Sequence, residues 1–293
     1  MSDPRYRRSA LGRRQRGKRG LGRNRALPLF CVVMGLSAVP LGAQLTVDQL
    51  EISVTPSTTG RVMARFVVRN DSKSAAQAIV TREDWDRAEN GDNRFVPSGS
   101  SAKTCGALMS VFPTAFRIEP GADQVIRLAV EKSPTLPKEC WDIVFVQELP
   151  QKRTVTRSGL QYLFRTGVKV YVVPTGLKRD AAITSMKLDN AGSRLASQSK
   201  AAASPPVRAR ISIEFSNTGQ VHLLGKGRIE FRRLDNSIVM QIPIAEFPIL
   251  PGAMRRLELD VPPTIPAGSY IALSLIDFGG AEIAAGQLEL TLR

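Results

Sequence analysis

Residues 115–131 read AFRIEPGADQVIRLAVE. Two short runs, Ala115 to Ile118 and Gln124 to Glu131, flank the pair Pro120-Gly121, and in the second run Ile126, Leu128 and Val130 alternate with other residues. Period-two apolar spacing puts one face of an extended strand toward a core. A proline that fixes φ and lacks an N–H, followed by a glycine free to take positive φ, ends one strand and reverses the chain into the next. The stretch therefore reads as strand, tight turn, strand.

The same grammar extends in both directions. Upstream it predicts strands at Leu50 to Val54, Arg61 to Arg69 and Ala76 to Asp84. Downstream come Trp141 to Glu148 and a long run from Leu160 to Val173, ended by Pro174-Thr175-Gly176. Further strands are predicted at Val207 to Phe215, Gly227 to Leu234, Ile238 to Ile242, Met254 to Val261, Ser269 to Asp277 and Gly286 to Leu292. Helical periodicity is nearly absent. Many short strands with regular turn signals define an all-β chain of immunoglobulin-like sandwiches. The 293 residues suffice for two domains with a core each. The expected division is a leader at 1–43, a first sandwich at 44–176 and a second at 177–293. The polar, breaker-rich stretch from Ala191 to Pro206 reads as an exposed loop of the second. No sequence repeat between the halves stands out, and Trp85 and Trp141 read as core residues of their strands.

A formal charge of +15 would ordinarily raise nucleic acid as a partner. Its distribution removes that expectation. Residues 1–43 carry ten Lys and Arg against the single acid Asp3, whereas the rest carries 31 basic and 25 acidic side chains, a formal +6. The basic stretch is followed by an apolar segment, Ala26 to Val39, and by Pro40-Leu41-Gly42-Ala43. This is the order of a secretory signal peptide, with an apolar run short for a membrane span and small residues before the cut. Cleavage is expected after Ala43, leaving a chain with no stable membrane insertion. An uncleaved anchor is the alternative.

One histidine, His222, and three cysteines leave little for a His-ligated metal or a Ser/His/Asp or Cys/His centre. Dinucleotide, phosphate-loop and H-E-x-x-H motifs are absent from the sequence. No enzymatic activity and no cofactor are expected. With Cys31 in the leader, Cys105 and Cys140 remain as an even pair in an oxidising compartment. A disulfide is the expected state and two buried thiols the alternative.

Several phrases then read together: Asn70 ending a strand, Ile118-Glu119-Pro120-Gly121 before Val125-Ile126-Arg127-Leu128, Leu136-Pro137, Glu148-Leu149-Pro150, and Thr166 to Pro174. The second half adds Phe247-Pro248-Ile249-Leu250-Pro251-Gly252 and Ile276-Asp277-Phe278-Gly279-Gly280. In this order the sequence resembles the periplasmic pilus-assembly chaperones of the chaperone-usher pathway, with a cysteine pair more like the simpler, non-enterobacterial branch. The resemblance implies two immunoglobulin-like domains in an L-shaped arrangement. It also implies binding of strand-deficient pilus or fimbrial subunits along the last strand of the first domain, around 160–173, and delivery to an outer-membrane usher from the periplasm. A secreted two-domain immunoglobulin-like structural or adhesion protein is the alternative.

Within that strand Leu160, Tyr162 and Phe164 share one face. They would fill a subunit's groove, or alternatively complete the sandwich's own core. By resemblance Lys169 would anchor the subunit's terminal carboxylate; otherwise it is an ordinary strand lysine. At the position of the arginine that the family sets on its first strand to share this carboxylate, the chain has Thr58. Arg127, Glu139 and Asp277 match family positions of a charged network within the first domain and across to the second, and are otherwise three surface charges.

Overall fold

A computed structural model describes residues 45–133, 136–150, 164–190 and 208–293. The expected leader, the loop from Ala191 to Pro206, Leu160 and Tyr162 lie outside the described residues. Apart from one 3-10 turn at Gly106–Leu108, every regular element described is a strand.

Two sheets form the first sandwich. One has the order β1 (Leu45–Val47), β3 (Val62–Asn70), β8 (Asp123–Val130), β6 (Met109–Phe112). The other runs β2 (Glu51–Val54), β10 (Arg165–Val172), β9 (Cys140–Glu148), β4 (Ala76–Arg87), β5 (Asn93–Pro97), with β7 (Ala115–Ile118) also on β4. Between the sheets lie Phe66, Val68, Ile126, Leu128, Val144, Val168 and Val170, almost wholly removed from water. β9 is buried on both faces, which is why its sequence is an apolar run and not an alternation. Its second face carries Trp141, Ile143 and Phe145. These pack with Trp85 of β4, Tyr171 of β10 and Leu250 in a separate cluster.

In the second sandwich the sheets are β11 (Ala181–Asn190), β12 (Ala209–Asn217), β15 (Met254–Val261), and β14 (Ile238–Ile249), β13 (Leu223–Arg232), β16 (Gly268–Asp277), β17 (Ala284–Leu292) in that order. Ile211, Ile213 and Phe215 alternate into its core against Ile229, Phe231 and Ile276. β14 continues past Pro243 and Pro248, where the sequence reading ended it at Ile242. Being at the sheet edge, it spends no ladder bond at either proline.

A repeat does relate the two halves, at the level of one turn. Asn70 ends β3 and is fully buried; its Nδ2 donates to the Ile118 carbonyl, its own carbonyl accepts from Gly121 N–H, and its N–H donates to Ala122 O. Asn217 ends β12 and repeats every bond, with Ile249, Gly252 and Ala253. Ile118-Glu119-Pro120-Gly121-Ala122 and Ile249-Leu250-Pro251-Gly252-Ala253 are thus one device used twice, each with its glycine at positive φ (71° and 67°). They differ at the second residue. Glu119 is exposed, whereas Leu250 is buried against Trp85, Trp141 and Tyr171 of the first sandwich.

Candidate functional site

β10 is paired along its full length on one side and along half of it on the other. Antiparallel β9 covers Arg165 to Val172, while parallel β2 reaches only Lys169 to Val172. The Phe164 carbonyl accepts from Glu148 N–H, so even-numbered residues bond to β9 and odd-numbered ones face away. Lys169 N–H, facing away, donates to Leu50 O. Arg165 and Gly167 face the same way, and among the described residues no strand pairs with them.

The side chains follow the same parity. Val168, Val170 and Val172 point into the core, and Phe164, on their side of the strand, is 40% exposed. Arg165, Gly167, Lys169 and Tyr171 lie over the aromatic cluster. Arg165 pairs with Glu83 and sets its guanidinium 3.4 Å from the centroid of the Phe145 ring. A Cβ at Gly167 would come within 2.7 Å of Ile143 Cδ1, so the missing side chain lets β10 lie flat on the cluster.

Lys169 is drawn down at the end of this free edge. Its side chain is 19% exposed, its Nζ lies 5.4 Å from the centroid of the Trp85 ring, and it donates to Glu51 Oε1 at 2.7 Å. The lysine thus holds a carboxylate, that of the residue opposite it in register. Thr58 is not beside it. It sits exposed in the loop after β2, on the far side of Val54, because the parallel register spends Glu51 and not Thr58 at Lys169.

The contacts of the three residues of the expected charged network differ from one another. Arg127 is exposed on β8, opposite Arg65 of the neighbouring strand β3 in the same sheet, with no ion-pair partner among the described residues. Asp277 is exposed and accepts from Gly279 N–H, closing the turn of its own sandwich. Of the three, Glu139 is the one that bonds across to the second sandwich. Its buried carboxylate accepts from His222 N–H at 2.7 Å and meets His222 Nδ1 at 2.8 Å, while its own N–H donates to Gln220 O. The His222 ring stacks on Tyr171 at 4.2 Å between centroids. Weighed only as catalytic material, the single histidine escaped the sequence reading; its partner's place beside Leu136-Pro137 was the available signal.

A second buried carboxylate lies on the core face of β9. Asp142 accepts from the Thr104 hydroxyl and from Cys105 N–H at 3.2 Å, and Arg82 Nε stands 3.3 Å away. Burial, partly offset by these partners, pushes its carboxyl from 3.8 up to about 6. Between those values the folded chain holds a proton that the unfolded chain has lost. Stability therefore falls as pH rises through that window, by at most about 3 kcal/mol for a shift of this size. Thermal melts across this range should show the decline. Asp142→Asn should remove most of it, and an equally steep decline in that variant would contradict the assignment. Beside Asp142, Cys105 and Cys140 are joined as a disulfide, with Cα atoms 5.0 Å apart.

Comparison with known proteins places the first sandwich. Residues 64–178 match the family described as pili and flagellar-assembly chaperone, PapD N-terminal domain. No curated protein matches the chain. Among solved structures, the chain is similar to the CupB2 chaperone of Pseudomonas aeruginosa, at 16% identity over 85% of this chain and 100% of that one, with a TM-score of 0.42. The E. coli chaperone DraB is similar at 16% identity, over 85% and 96%, with a TM-score of 0.40. A complex of the chaperone CsuC with the tip adhesion subunit CsuE of Acinetobacter baumannii is similar at 13%, over 84% and 98%, with a TM-score of 0.44. Residues 64–178 are thus similar to the N-terminal domain of the PapD family of pili and flagellar-assembly chaperones.

Proposed function

We propose that this chain is a periplasmic chaperone that holds strand-deficient pilus or fimbrial subunits by adding the 160–173 strand to them, and hands them to an outer-membrane usher. Its domains in this reading are 44–176 and 177–293, after a leader removed at Ala43. The observation that carries the proposal is the half-covered β10. Backbone groups at Arg165 and Gly167 face outward on a strand that the rest of the sandwich holds rigid. Such an edge offers main-chain bonds to an extended segment, and alternate side chains enter the pockets of the acceptor. Phe164 stands at the described end of the face that Leu160 and Tyr162 would continue. Lys169 supports the carboxylate anchor, because a subunit's terminal carboxylate would replace that of Glu51, whose side chain is 56% exposed.

The test uses Phe164→Ser and Lys169→Ala in the full chain, co-expressed with a fimbrial subunit lacking its last strand. Because Phe164 is partly exposed, its replacement should shift the stability of the free chain by no more than about 1 kcal/mol. Recovery of the subunit complex should nonetheless fall sharply for both variants. Undiminished recovery from both would favour the structural or adhesion reading.

A further inference from the structure

The outer face of the β1-β3-β8-β6 sheet carries an arrangement that the subunit-binding edge does not use. Cross-strand rows on this face are fixed by the register. At one end Arg61 pairs with Glu131 at 2.7 Å; at the other Arg69 pairs with Asp123 at 3.0 Å and with Asp71 at 3.1 Å. In the row between them Arg65 of β3 stands opposite Arg127 of β8, which stands opposite Phe112 of β6. Both arginines are exposed, Phe112 is 68% exposed, and Met63 in the adjacent row is 56% exposed.

Like charges directly opposite one another on adjacent strands destabilise a sheet. Every other arginine row on this face is matched with an acid, so the central one stands out as an uncompensated cost. Among the described residues neither Arg65 nor Arg127 has an ion-pair partner. The rest of the chain is not a source of one: residues 1–44, 134–135, 151–163 and 191–207 contain a single acid, Asp3, amid many bases. An ion-pair partner for either would therefore come from outside the chain.

We propose that this face docks an acidic polypeptide segment, two carboxylates of which engage Arg65 and Arg127 while an apolar side chain between them covers Phe112 and Met63. Arginine beside an exposed aromatic, ringed by satisfied ion pairs, is the composition of a protein interface centre. A continuous anionic bilayer fits less well. Membrane attraction takes clusters of about four to eight bases, and here Asp71, Asp123 and Glu131 would face the headgroups.

The experiment titrates the isotopically labelled full chain with a synthetic peptide, Glu-Phe-Glu-Phe-Glu. Saturable shifts of the Arg65, Phe112 and Arg127 amides are expected, weakening as salt rises, with none from Lys-Phe-Lys-Phe-Lys. Arg65→Gln with Arg127→Gln should weaken binding by about tenfold or more. Arg127→Glu should abolish peptide binding and at the same time raise the melting midpoint of the free chain, since it turns a repulsive pair into an attractive one. That opposition separates docking from a structural role. Peptide shifts confined to other regions, or a midpoint unchanged or lowered in Arg127→Glu, would overturn the proposal. So would phosphatidylglycerol vesicles engaging this face when the peptide does not, or dimerisation of the chain through it.

Discussion

Trp141→Ala should destabilise the chain by about 3 to 5 kcal/mol, the range of large aromatic truncations in a filled core. The indole is 2% exposed and its Nε1 donates to the Trp85 carbonyl at 2.8 Å, so the alanine leaves both a cavity and an unanswered acceptor. The loss also reaches the second sandwich, because Leu250 packs into the same cluster. Leu250→Glu, which copies the residue of the other turn, Glu119, separates the two contributions. It should undock the sandwiches while leaving the first one's own core filled. Urea melts read by separate probes in each sandwich should show a coincident loss for Trp141→Ala and split transitions for Leu250→Glu. A change below about 1 kcal/mol in Trp141→Ala would contradict the packing described.

Removing the disulfide should have an effect of similar size. Cys105 and Cys140 close a loop of sequence separation 35, and the chain-entropy relation for such a loop gives about 4 kcal/mol of stabilisation. The bond fastens the 3-10 turn and β6 to the start of β9, next to the buried Asp142. Cys105→Ser with Cys140→Ser, and the wild type under strong reductant, should both lose this stability in urea melts. A reduced wild type with an unchanged midpoint would show that the bond closes a loop already held by its surroundings.

The strands that the sequence revealed are those with an apolar face to declare. Met254 to Val261 and Ala115 to Ile118 appear with the predicted limits, because one turn or breaker bounds each end. β5 was illegible: Asn93–Pro97 is exposed throughout and owes its place to pairing with β4. β11 was missed because Ala181–Asn190 mixes small and polar residues and is held by its register on β12. The repeated turn was in plain view as I-x-P-G-A, yet comparing the halves strand by strand hides a device made of one buried asparagine and five residues.

The site was legible in part. Lys169 and the edge it ends follow from alternation together with family resemblance, and the structure sets them on one strand. Roles carried from resemblance alone fared less well. Among the described residues neither Arg127 nor Asp277 forms an ion pair with Glu139, and the register and strand order that decide such pairs are not written in residue identity. The partner that Glu139 does have, His222, comes from another sandwich, 83 positions away.

The central claim is that the outward backbone groups of β10 pair with an incoming subunit, and amide hydrogen exchange at Arg165 and Gly167 tests it most directly. In the free chain both amides should exchange rapidly while Val168, bonded to β9, stays protected. On adding a fimbrial subunit that lacks its last strand, Arg165 and Gly167 should become as protected as Val168. A stable complex in which these two amides exchange as fast as in the free chain would contradict strand addition at this edge.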